Sequence, residues 1–153
     1  MSKLISAIGG IIVIREAISR DVKGLAHLMG ELGYPTSVEE MEKRMCIIFE
    51  NQYYQTYVYV DGDVVVGMIG FMHCYRYESS DSYIRINGFV VDSHARGKGI
   101  GKSLLHFAES WAEENGASLV TLNSGNRPER IDAHAFYERC GFVGSATGFY
   151  KKL

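Results

Sequence analysis

The residues of this chain best suited to chemistry are concentrated in one stretch, Val90-Val91-Asp92-Ser93-His94-Ala95-Arg96-Gly97-Lys98-Gly99-Ile100-Gly101-Lys102. An apolar strand end, three alternating glycines and a helix start put several unpaired amides into one small concave turn, which is a ready site for a phosphate anion. Glycine suits the turn because a Cβ would oppose both positive φ values and the close approach of a diphosphate. Lys98 and Lys102 flank the positive end of the helix dipole, an unfavourable place for cations unless an anion sits between them. Two known phosphate motifs fail on the spacing. A Walker A loop ending in Gly101-Lys102-Ser103 would need glycine where Arg96 stands, and a G-x-G-x-x-G fingerprint begun at Gly97 would need glycine where Lys102 stands. What remains is R-x-x-G-x-G, met by Arg96, Gly99 and Gly101.

The surrounding elements must hold that turn. Ile11 to Glu16 reads as a β-branched strand, followed by a helix capped by Ser19 with Val22, Leu25, Ala26, Met29 and Leu32 on its apolar face. Gly33-Tyr34-Pro35 ends it. Ser37 and Glu40 have capping-box spacing ahead of a second helix carrying Val38, Met41, Met45 and Ile48. Thr56 to Val60 and Val64 to Tyr75 form a hairpin about Asp61-Gly62, and Tyr83 to Val91 is the strand that feeds the turn. A helix from Gly101 to Asn115, a strand from Ser118 to Leu122, a helix from Ile131 to Cys140 and final strand material from Phe142 to Leu153 complete the order. The pattern predicts a mixed α/β chain in which an antiparallel meander meets a strand-helix-strand crossover.

Composition sets the limits. The 153 residues are one domain's worth, and 46% hydrophobic against 22% charged residues describe a packed domain. Residues 1–10 are expected to be a flexible lead-in and residues 11–153 a single domain. Sixteen basic against eighteen acidic residues give a formal charge of −2, which lacks the broad basic surface that binds nucleic acid or an anionic membrane. Three cysteines, Cys46, Cys74 and Cys140, without C-x-x-C spacing suggest neither a disulfide framework nor a zinc site, and a reducing, cytoplasmic setting is expected. The apolar run from Leu4 to Ile14 is too short to span a bilayer and lacks a small-x-small cleavage site, so it is read as the approach to the first strand.

With Arg96-Gly97-Lys98-Gly99-Ile100-Gly101 on the page, a second motif completes a resemblance. Ala133-His134-Ala135-Phe136-Tyr137-Glu138-Arg139-Cys140-Gly141-Phe142 is similar to the A-x-x-F-Y-E-x-x-G-F signature of the GNAT superfamily of acetyl-coenzyme A dependent N-acetyltransferases, whose diphosphate loop the first motif resembles. The resemblance implies a mostly antiparallel central sheet of about six or seven strands flanked by helices and splayed between strands four and five. It implies acetyl-coenzyme A as donor, held by the amides of Phe89, Val90 and Val91, by Arg96 through Lys102, and by Arg130. The run from Arg130 to Tyr137 further resembles R-x-D-A-H-x-F-Y of acetyltransferases acting on small aminoalkylphosphonates, which implies a small-molecule amine as acceptor. A homodimer paired through late strands is implied by the same analogy.

The implied chemistry is transfer of the acetyl group to a primary amine by direct attack in a ternary complex. Tyr137 stands where the family keeps the proton donor to the thiolate. The family's base is the point of departure, because relatives carry Glu or Asp where this strand offers Asn87 and Gly88. Deprotonation then falls to ordered water, to solvent, or to His73, Glu50 or His134. The acceptor pocket is expected between Gly30 and Asn51, with Glu31, Tyr34, Glu50 and Tyr53 as its polar groups and His73 as a further candidate. Cys74 and Cys140 read as small buried hydrophobes rather than nucleophiles. The missing carboxylate keeps open a competing reading, a non-catalytic acyl-coenzyme A binding or sensing domain.

Overall fold

A computed structural model describes residues 3–7 and 10–153 of the chain. Its elements run β1 (Lys3–Ala7), β2 (Gly10–Glu16), α1 (Val22–Glu31), α2 (Val38–Glu50), β3 (Tyr54–Asp61), β4 (Val64–Tyr75), β5 (Ser82–Val91), α3 (Ile100–Glu114), β6 (Ala117–Leu122) and α4 (Ile131–Arg139). The strands form one sheet in the order β1-β2-β3-β4-β5-β6, and each of the pairs from β1-β2 to β4-β5 is antiparallel. Ser118 donates to the Ser82 carbonyl and Thr121 to the Ile84 carbonyl, contacts that advance in step along both strands. β6 therefore runs parallel to β5, as a connection through the crossover helix α3 requires. Two compact units are present, one reaching Thr121 and one beginning at Leu122.

The first unit has a core on each face of the sheet. On one face Val22, Leu25, Ala26 and Leu28 of α1 and Met41 and Met45 of α2 bury Val58, Val60, Met68 and Val90. On the other, Phe71 meets Trp111 of α3 edge-on with ring centroids 5.1 Å apart, and Tyr57 meets Phe107 at 4.5 Å. Because both faces are covered, β3 is buried continuously from Thr56 to Val60 instead of alternating. Each fully buried side chain of the Leu25, Leu104 and Phe71 kind contributes about 1.5–3 kcal/mol by leaving water.

Several local expectations are corrected. Lys3–Ala7, expected to be flexible, pair with β2. Ser19 does not cap α1. The first turn is instead organised by Asp21, whose carboxylate accepts from the Ile18 amide at 2.8 Å and from both Arg15 nitrogens at 2.7 and 2.8 Å. Ser37 caps α2 by accepting from the Glu40 amide, whereas the Glu40 carboxylate takes Lys43 as its partner. The final strand expected from Phe142 to Leu153 is not formed; Val143, Phe149 and Tyr150 are exposed, and no strand among the described residues pairs with this segment.

In the second unit, α4 ends at Gly141 with φ +88°, where the Phe142 amide donates to the Tyr137 carbonyl at 3.0 Å. The Tyr137 ring lies against Phe136 and Phe142, with centroids 5.7 and 5.8 Å away.

Candidate active site

The glycine-rich turn opens where β5 ends. The Asp92 amide donates to the Val66 carbonyl, and the Asp92 carboxylate caps a single 3₁₀ turn over Ser93–Ala95 by accepting from the His94 amide at 2.9 Å. Gly97 and Gly99 then take φ values of +79° and +76°, a region that costs other residues about 1–2 kcal/mol each. A Cβ at either would meet nothing within 4 Å, so the backbone twist, not crowding, demands glycine. Consecutive amides from Arg96 to Lys102 donate to no group among the described residues, the next donor being Ser103 to the Gly99 carbonyl. A row of free amides bent by two left-handed glycines into the start of a fifteen-residue helix is an anion cradle.

The matrix of contacts around the turn was not legible in the sequence motif. Glu31, the last residue of α1, accepts from the Ser93 amide at 3.1 Å and from its hydroxyl at 3.2 Å, and its carboxylate lies 4.0 Å from the Arg96 guanidinium. His27, one helical turn earlier, meets the Asp92 carboxylate at 2.6 Å. The His27 hydrogen bond and the His94 amide hold the Asp92 carboxyl below its usual range. Arg96 completes the brace by donating to the Val91 carbonyl at 3.3 Å. The i, i+4 spacing of His27 and Glu31 and the position of Asp92 directly before the turn were the available signals.

The sequence model of the Acetyltransferase (GNAT) family matches residues 23–142. The chain belongs to the GNAT acetyltransferase family. Among curated GNAT relatives, the chain is 28% identical over 127 residues to an uncharacterized N-acetyltransferase, YhdJ, of Bacillus subtilis, covering 82% of this chain and 87% of that protein. It is 37% identical over 89 residues to the aminoalkylphosphonate N-acetyltransferase of Salmonella typhimurium, covering 58% of this chain and 56% of that one. A GNAT family acetyltransferase of Staphylococcus aureus superposes with a TM-score of 0.80 at 31% identity, covering 93% of this chain and 98% of the other. The α/β GNAT fold, with its mixed sheet flanked by helices, is thereby established, as is an acyltransferase that draws on acetyl-coenzyme A. The free amides of the turn fit the coenzyme's diphosphate.

The residues expected in the GNAT site fall into three groups. Arg96, Gly97, Lys98, Gly99, Ile100, Gly101 and Lys102 lie together in the turn, and Phe89, Val90 and Val91 lead into it. Asn87 is the extra residue of a β-bulge, since Gly70 pairs with Gly88 but Phe71 with Ile86. The bulge reverses the phase of β5. Before it Ser82, Ile84 and Ile86 are buried on the α3 face; after it Val90 is buried with α1 and α2. No carboxylate occupies the bulge, so Asn87 can orient a group there but not take its proton.

The substrate candidates separate. Glu31 is engaged by Ser93 and Arg96 beside the glycine-rich turn. His73 faces α3, with Nε2 2.8 Å from the Ser82 hydroxyl and its ring against Tyr75 and Trp111. Tyr34 is exposed beyond the end of α1, and Glu50 lines a surface recess with Ile47, Asn51, Gln52 and Tyr53. In the second unit, burial pushes the Tyr137 phenol above its ordinary value; the positive charge of Arg130 opposes this in part and Cys140 adds to it. His134 Nε2 is enclosed without a hydrogen-bond partner among the described residues.

Proposed function

We propose that the chain is an N-acetyltransferase that moves the acetyl group of acetyl-coenzyme A to the primary amine of a small molecule, by direct attack in a ternary complex. The observation that carries the reading is the row of free amides from Arg96 to Lys102 at the head of α3. These amides hold the coenzyme's diphosphate, with Lys98 and Lys102 adding charge and Phe89, Val90, Val91 and Arg130 completing its site. Bound acetyl-coenzyme A supplies an activated thioester.

The Tyr137 phenol, neutral at pH 7 as any phenol is, is held still further from ionisation by burial, and a neutral phenol is what the departing thiolate needs as donor. Asn87 orients the acceptor amine at the bulge, and water takes the proton that the amine gives up. The relative that acts on aminoalkylphosphonates supports a small-molecule acceptor over a protein lysine. Three free cysteines fit a reducing, cytoplasmic setting, and among the described residues no helix is long and apolar enough to cross a membrane. A homodimer is the assembly proposed, tested by light scattering.

The test is thiol release from acetyl-coenzyme A in the presence of a panel of primary amines. Amine-dependent release with a matching N-acetyl product by mass spectrometry supports the reading. Binding of acetyl-coenzyme A without release for any amine overturns it in favour of a coenzyme-binding domain.

A further inference from the structure

Two carboxylates hold the foot of the glycine-rich turn, and one side chain stands between them. Asp92 accepts from the His94 amide at 2.9 Å and so fixes the 3₁₀ turn that leads into Arg96. Glu31 accepts from the Ser93 amide at 3.1 Å and from the Ser93 hydroxyl at 3.2 Å. His27 of α1 places its Nε2 2.6 Å from Asp92 Oδ2 and 3.9 Å from Glu31 Oε1. One such atom from each of the three groups lies within 4.8 Å of the other two. Two carboxylates that close repel, and the repulsion separates α1 from the end of β5 unless a cation offsets it.

The charged surroundings of His27 are few. Arg96 lies 4.0 Å from Oε2 of Glu31, and the His94 ring lies 3.3 Å from Oδ1 of Asp92. Among the described residues, Lys23, one turn before His27 on α1, pairs with neither carboxylate, and α2 and β4, which also pack on α1, bring no carboxylate within 4.0 Å of His27. Arg96 stays charged throughout the physiological range, whereas imidazole is the side chain that changes charge between about pH 5 and 8. The two histidines are not equivalent. His94 is almost wholly in solvent, and the Asp92 oxygen beside its ring is already held by the His94 amide, while His27 alone reaches both carboxylates. The Asp92 carboxyl is held below its usual range, foremost by the His27 hydrogen bond.

We propose that His27 is a positioning residue for the coenzyme turn and that its imidazolium form does the positioning, so that affinity for acetyl-coenzyme A falls as His27 gives up its proton. The proposal rests on the reading of the turn as the coenzyme's diphosphate site. Imidazolium donates to Asp92 and offsets the charge of Glu31, which keeps α1 against the turn and the free amides aimed outward. Neutral imidazole can still donate to Asp92, but it leaves the charge of both carboxylates directly behind a site for a polyanion. A looser brace and a less favourable field both weaken the coenzyme. Because His27 is half exposed, solvent and salt limit the effect to about threefold to tenfold.

The test is calorimetric titration of acetyl-coenzyme A into the full chain at about pH 6 and about pH 8.5 at one ionic strength, with wild type, His27→Gln, His27→Lys and His94→Gln. The readout is the ratio of Kd at the higher pH to Kd at the lower. The coenzyme's own phosphates titrate in this interval, but their contribution is common to all four proteins and is read from His27→Lys, whose cation persists at both pH values. The wild-type ratio is expected to exceed that of His27→Lys by about threefold to tenfold. His27→Gln, which can donate but carries no charge, shares the lower ratio and binds weakly at both pH values, whereas His27→Lys restores binding at the higher one. His94→Gln follows wild type. Melting temperatures at both pH values control for the fold, since a half-exposed side chain can be exchanged without its loss. An equal ratio in wild type and His27→Lys overturns the proposal, as does a ratio that falls in His94→Gln instead. Failure of wild type to bind at either pH removes the coenzyme reading beneath it.

Discussion

Tyr137 and Asp21 show how the same upward push of burial ends in opposite net shifts on two ionisable side chains. At Tyr137 burial dominates and raises the phenol further from neutral pH, which suits the proton donor proposed for it. Tyr137→Phe is expected to lower kcat about a hundredfold and leave the affinity for acetyl-coenzyme A within about twofold, as steady-state rates and calorimetry would read. Because the phenol sits above its ordinary value, no loss of rate from its ionisation is expected below about pH 10. At Asp21 burial also pushes upward, but the paired hydrogen bonds from Arg15 and the Ile18 amide outweigh it, and the carboxyl ends below its ordinary value. A carboxyl lowered on folding stabilises fully above its unfolded value and loses that contribution as pH falls through the folded one. Asp21→Asn, which leaves Arg15 facing a neutral amide, should cost about 2–4 kcal/mol in urea melts at pH 7, with the difference from wild type shrinking below about pH 4. Asp21 was not singled out by the residue pattern, because its partner lies on the preceding strand and only folding brings the two together.

At the scale of elements, the glycine-rich turn is a composite of α1, β5 and α3. Its glycines were legible because a left-handed φ is a local requirement that spacing records. The brace behind them was not, since Glu31 looks like any carboxylate at a helix end until α1 is laid beside the turn. Glu31→Gln is expected to raise the KM for acetyl-coenzyme A about fivefold with kcat nearly unchanged, the size of one exposed charge-assisted contact. An unchanged KM would mean that the turn holds its shape without α1. The bulge at Asn87 was likewise illegible, because a one-residue slip between β4 and β5 is decided by pairing across strands and not by either strand alone. The segment from Phe142 to Leu153 failed as a strand for the same reason. Its apolar residues have the composition of a strand, but composition does not supply pairing, and no strand among the described residues pairs with it.

For the whole molecule, a net charge of −2 coexists with a local anion site. Attraction of a polyanionic coenzyme must come from Lys98, Lys102 and the free amides, all close to the turn, so it should be screened only moderately by salt. A Lys98→Ala, Lys102→Ala pair is expected to weaken acetyl-coenzyme A binding about tenfold at 50 mM salt and by less at 300 mM, whereas the amide contribution persists in both. The architecture around the turn followed from periodicity in the long elements α1, α2 and α3, whose apolar faces bury nearly the residues their spacing assigned.

The central claim, that the turn is a coenzyme cradle made of backbone, is tested most directly by calorimetric titration of acetyl-coenzyme A into wild type and Gly99→Val. The valine keeps every charge and opposes only the left-handed φ that aims the amides. Saturable one-to-one binding in wild type, weakened at least tenfold in a variant with an unchanged circular dichroism spectrum, is the result the structure predicts. Equal binding by both proteins, or none by wild type, would contradict it.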